Sequence, residues 1–134
     1  MNGKTKEESE NKHLTFIKLF EEQMKNQNCL LMAGKYDDFK SMNTDMLPVD
    51  DIRLASYHVQ QLMSEIGEVL DADKRWKNFR NEKYDKDAKL EEIADCFIVL
   101  MNIAMFSGFD GFQMQDAIVK KLNVISERID KIVK

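Results

Sequence analysis

Apolar residues recur at three- and four-residue spacing in four long stretches of this chain, and polar residues between them mark where each should begin and end. Phe16, Phe20, Met24 and Leu31 predict a first helix over about 13–32, stopped by Gly34. From 35 to 49 the period is lost, and Pro48, the only proline, marks where a new element begins. Asp50 or Asp51 can cap a second helix, on which Ile52, Ala55, Val59, Leu62, Ile66, Val69 and Leu70 keep the spacing until the run Asp73 to Arg80. A third helix starts near Asp85 or Asp87 and continues through Cys96 to Phe106 with hardly a polar residue, which predicts the buried, central helix. Gly108 ends it. Asp110-Gly111-Phe112-Gln113 then reads as a capping box that opens a fourth helix to about Val133, with Ile118, Leu122, Ile125, Ile129 and Ile132 on its apolar side.

Composition narrows this to one all-α domain. Five glycines and one proline in 134 residues are too few for the turns of an all-β chain, and 43% hydrophobic content suffices for a core. Residues 1–12, rich in Lys, Glu, Asn and Ser, are expected to form a flexible leader, leaving 13–134 as the domain. A net charge of −4 speaks against a binder of nucleic-acid polymers. No apolar run reaches the length of a membrane span, and no signal peptide opens the chain, so the expected location is cytoplasmic. Cys29 and Cys96 lie in apolar stretches without Cys or His partners in motif spacing, and are read as buried thiols.

The candidate chemistry lies in Glu65-Ile66-Gly67-Glu68 and Glu92-Ile93-Ala94-Asp95. Residues three apart share a helix face, so each segment presents two carboxylates together, and two such faces opposed would gather four. Four close carboxylates need protons or a cation to offset their repulsion, and magnesium, which keeps positions for water and phosphate oxygens, suits them best. The plain alternative is solvated acid on helix faces in a chain that is 33% charged. Gly67 within a helix suggests close packing or ligand approach. Trp76 and Lys77, within an aromatic and basic run, could stack a base and hold phosphate, or cap a helix end with the indole in the core. Gln23 and Gln27, one turn apart on the first helix, are either exposed helix formers or a polar contact to a ligand. Asn102 needs a partner, either an acid of the site or a neighbouring helix. Lys120, Lys121 and Arg128 read as solvated charge by default. His13 and His58 read as incidental, since no Ser-His-Asp or Cys-His arrangement surrounds them.

These segments resemble the all-α nucleoside triphosphate pyrophosphohydrolases, the superfamily of the MazG-like proteins and dimeric dUTPases, over roughly residues 50 to 130. The shared pattern is E-x-x-E, a spacer, then E-x-x-D, here Glu65 to Glu68 and Glu92 to Asp95, with Arg75-Trp76-Lys77 as an aromatic and basic patch. Lys121 and Arg128 match the basic positions of a last-helix K-x-x-x-N-x-x-R pattern, whose asparagine position is Ile125 here. The resemblance implies an antiparallel four- to five-helix bundle of MazG-like type, completed by assembly into a homodimer or homotetramer. It implies an acid-anhydride hydrolase that cleaves a (d)NTP to the (d)NMP and pyrophosphate by metal-activated water. Glu65, Glu68, Glu92 and Asp95 would be both metal ligands and catalytic groups, with Mg2+ or in its place Mn2+. Trp76, Lys77, Lys121, Arg128 and Gln23 would contact the nucleotide. The alternatives are a dUTPase- or dCTPase-type housecleaning enzyme of the same fold and a non-catalytic helical interaction module. A di-iron bundle would need two Glu-x-x-His pairs, and the chain has only the single match Glu10 to His13.

Overall fold

The computed structural model describes residues 15–38, 46–79 and 83–133, with the side chains of 78 and 79 excepted. The expected leader, His13, residues 39–45 of the irregular stretch and Arg80 lie outside them. The fold is all-α: α1 (Phe16–Met32), α2 (Ile52–Ala72), α3 (Lys86–Met105) and α4 (Gly111–Val133), with a 3-10 turn at Lys74–Phe79 between α2 and α3. Among the described residues there is no strand, only an isolated bridge between Asp50 and Ser107.

Each helix begins where a short polar side chain can take up free backbone N–H groups. Asp51 Oδ1 accepts from the amides of Arg53 and Leu54 at 3.1 and 3.2 Å. Asp85 Oδ1 accepts from those of Asp87 and Ala88 at 2.9 and 3.2 Å. The predicted capping box forms in full: Gln113 N donates to Asp110 Oδ1, and Asp110 N donates to Gln113 Oε1, each at 2.9 Å. Gly34 and Gly108 adopt φ of +73° and +91° just past α1 and α3, a region where a side chain would strain the backbone.

Helices α2 and α3 run antiparallel. At one end the amides of Val49 and Asp51 donate to the carbonyls of Met105 and Phe106 at 3.0 and 2.9 Å. At the other, Lys89 Nζ meets Asp73 at 2.8 Å. The core gathers at the first of these ends, where Phe20 and Leu31 of α1 meet Leu54, Ala55, Met105 and Phe106. Helix α4 leaves from there and packs on α1, close enough that a Cβ on Gly111 would lie 3.1 Å from Phe20 Cβ.

Three expectations are corrected. Helix α3 is not enclosed within its own chain: Phe97 is 64% exposed, and Leu90, Ile98 and Leu100 are exposed with it. Its low polarity reflects apolar faces that α1 and α2 only partly cover. Cys29 is exposed and Cys96 only half-buried, so neither is the buried thiol that its apolar stretch suggested. Gln27 is buried and accepts from the Tyr36 hydroxyl, so it is no exposed helix former. His58, read as incidental to catalysis, is packed in the core: its ring stacks on Phe106 at 5.0 Å, and Tyr36 and Tyr57 meet it edge-on.

Candidate metal centre

Glu65 and Glu68 lie past the middle of α2, Glu92 and Asp95 in the first half of α3, so the antiparallel pairing sets the two acid pairs against each other. One carboxylate oxygen from each of the four lies within 4.8 Å of all the others. Glu65 and Glu92 are half-buried, while Glu68 and Asp95 are exposed, giving the cluster an inner and an outer side. On the inner side, Glu65 Oε2 and Glu92 Oε2 are buried without a hydrogen-bond partner. A buried carboxylate oxygen left so is costly unless a cation or donor meets it.

Electrostatics agree with the crowding. A hydrogen bond shared with Glu68 raises the Glu65 carboxyl above its usual range, helped by burial and by the charges of Glu68, Asp95 and Glu92. Burial raises Glu92 first, then its hydrogen bond with Glu68 and the neighbouring charges. The adjacent Cys96 thiol is pushed up by burial and by the same acids. Gly67, between the first two, is not there for close packing, since a Cβ would meet nothing within 4 Å. Space beside the acids is open.

One turn beyond the cluster stands a group that spacing alone did not single out. Asp73, 7% exposed, accepts from Arg75 Nε and Nη2 and from Lys89 Nζ, all at 2.8 Å. The Arg75 bonds first, then the one from Lys89, hold its carboxyl well below the usual carboxylate range. The Arg75 guanidinium also lies 3.5 Å from the centroid of the Tyr84 ring. A signal was present in the sequence: an Asp at the C-terminal end of a helix opposes the helix dipole and calls for cations nearby.

The remaining candidates are dispersed. Trp76 is 59% exposed, its Nε1 donating to the Leu70 carbonyl at 3.0 Å, so the core position considered for it is ruled out. Lys77 is exposed close by. Lys121 and Arg128 are exposed on α4, which packs on α1 rather than along the acid-bearing pair. Gln23 Nε2 donates to Asn102 Oδ1 at 2.9 Å and its carbonyl accepts from Asn26 at 3.3 Å, so its amide is engaged within the fold. Asn102 therefore ties α3 to α1 and does not reach the acids. No family model, curated protein or solved structure matches this chain.

Proposed function

We propose that this chain is a magnesium-dependent nucleoside triphosphate pyrophosphohydrolase, cleaving a (d)NTP to the (d)NMP and pyrophosphate, in a MazG-like antiparallel bundle assembled as a homodimer or homotetramer. The observation that carries this reading is the convergence of Glu65, Glu68, Glu92 and Asp95, with the buried Oε2 atoms of Glu65 and Glu92 lacking a hydrogen-bond partner. Such a donor set is all oxygen and all anionic, which fits a hard divalent cation, Mg2+ or Mn2+, and suits no soft metal. When bound, the ion supplies neutralisation of phosphate charge and a more acidic water.

The chain's own residues would do the rest. Half-buried Glu65 and Glu92 would fix the inner side of the site, while exposed Glu68 and Asp95 would face the incoming phosphates. Lys77 would supply positive charge to a triphosphate that the acids alone would repel, and Lys121 and Arg128, whose helix packs on α1 rather than along the acid-bearing pair, would add to it only from another subunit of the assembly. Exposed Trp76, with its indole N–H anchored, offers a ring face on which a base can stack. Gln23 would contribute a polar contact only if its bond to Asn102 opened.

Incubation with each common NTP and dNTP in magnesium, with products separated by ion exchange, tests the proposal. Equal amounts of monophosphate and pyrophosphate, abolished by a chelator, are expected. Products limited to diphosphate and orthophosphate, or no turnover of any nucleotide, would overturn it.

A further inference from the structure

The cations that border the acid cluster form a built group, not scattered surface charge. Asp73 accepts from Arg75 Nε and Nη2 and from Lys89 Nζ, and one carboxylate shared by two cations leaves one positive charge over. Exposure is graded across the group: the Asp73 side chain is 8% exposed, those of Lys89 and Arg75 33% and 47%. The anion is inside, and its two cations meet the solvent. Donors remain on both, because Asp73 takes two of the five N–H groups of a guanidinium and one of the three of an ammonium. The Tyr84 ring holds the guanidinium from another side, 3.5 Å from its centroid, with Lys89 Nζ 5.4 Å from the same ring. Such a pair is ordered before a ligand arrives, which lowers the entropy cost of recruiting long side chains.

Position gives the group its use. Lys89 lies three residues before Glu92, so the two share a face of α3, and Asp73 caps the end of α2, the helix that carries Glu65 and Glu68. We propose that Arg75 and Lys89, oriented by Asp73, form an anion subsite for the phosphate oxygens of a nucleotide that the metal does not hold. This deepens the hydrolase reading above, on which its choice of ligand rests. Charge is the first argument. Oxygens of a phosphate chain that extends past the four acids meet only like charge unless cations stand beside them, and both of these cations stand on or next to the acid-bearing helices. Economy of bonds is the second. Fastening α2 to α3 needs only the Lys89 bond, whereas the two bonds from Arg75, two residues along from Asp73, join no helix to another. What they do is fix the guanidinium. Geometry of the ligand is the third, since a planar, immobilised guanidinium offers paired donors to phosphate oxygens and the neighbouring ammonium adds a point charge.

Calorimetric titration of the full chain with inorganic pyrophosphate, at magnesium concentrations that saturate each variant, tests this. Lys89→Ala and Arg75→Ala should each weaken pyrophosphate binding about tenfold, the scale of one charged hydrogen bond lost, with the far-ultraviolet helical signal retained. Lys89→Arg should recover most of the affinity. In turnover, the two alanine variants should raise KM for the nucleotide more than they lower kcat. Wild type offers a measurement that no variant's folding can spoil: acetylation of Lys89, followed by peptide mass, should slow when magnesium pyrophosphate is added. Unchanged pyrophosphate affinity in both alanine variants, a Lys89→Arg variant as weak as Lys89→Ala, or Lys89 acetylated at one rate with and without pyrophosphate would each overturn the proposal. Pyrophosphate binding needs no turnover. A wild type that hydrolyses nucleotides while Lys89 stays unprotected sinks this inference alone, and one that binds pyrophosphate through Lys89 but hydrolyses no nucleotide sinks only the reading of function.

Discussion

The carboxylates of the cluster work against the fold when no cation is present. Glu65 and Glu92 hold protons to higher pH than they would in the unfolded chain. Their contribution to stability is therefore complete below about pH 4.5 and lost as pH rises through their folded values. Glu68→Gln removes the charge that both feel, so without metal this variant should melt above wild type at pH 8, while losing most hydrolysis. A lower melting temperature together with full activity would remove Glu68 from the site. His58 acts with the opposite sign. Burial lowers its pKa to about 4, against the pull of a hydrogen bond to Gln61, so its share of stability is whole above pH 6.5 and declines as pH falls towards 4. The loss should reach about 3 kcal/mol. His58→Phe, which preserves the stacking on Phe106, should flatten that part of a denaturant-derived stability profile; an unchanged slope between pH 6.5 and 4 would assign it to other groups. Trp76→Ala should change stability by less than about 0.5 kcal/mol, as its exposure predicts. It should weaken binding of a non-hydrolysable nucleotide by about 1–3 kcal/mol if the base stacks there, and an unchanged affinity would exclude that contact.

Among the elements, the antiparallel pair α2 and α3 sets the geometry of the acids, and its two ends are fastened differently. The core end is held by the backbone bonds of Val49 and Asp51 to Met105 and Phe106. The far end, beside the acids, is held by Asp73 with Arg75 and Lys89. Asp73→Asn should lower the melting temperature and weaken magnesium binding together, because it loosens the end where the acid pairs face each other. An unchanged metal affinity would show that the ion pair only caps α2. What could be read from the sequence here divides along the same line. Caps at Asp51, Asp85 and Asp110 with Gln113 depend on neighbours within three residues, and their side chains announce them. Spacing likewise puts each acid pair on one helix face, whereas the meeting of the two faces is only what the resemblance implies. Gln23 with Asn102, 79 residues apart, and Asp73 with Lys89, 16 apart, depend on how helices meet, which no local pattern encodes. His58 belongs with these, since its environment comes from Tyr36, Tyr57 and Phe106 on three segments.

For the molecule as a whole, core and candidate site occupy different stretches of one helix pair. Phe20, Leu54, Met105 and Phe106 are sealed at one end, and the acids lie towards the other, where α2 and α3 are covered by little else. The sequence showed an apolar third helix but could not show which surface would cover it, because hydrophobicity demands burial without naming the partner. In the proposed enzyme this division is useful. A rigid end keeps the helices in register, and an open one admits a nucleotide between fixed charges. No helix of the described chain is long and apolar enough to cross a membrane. The claim on which the rest depends is that the four acids form one cation site, and calorimetric titration of metal-free protein with magnesium tests it most directly. Saturable binding by wild type, lost in both Glu68→Gln and Asp95→Asn, is the expected result. Saturable binding that persists unchanged in both variants, or no binding by wild type at millimolar magnesium, would contradict it.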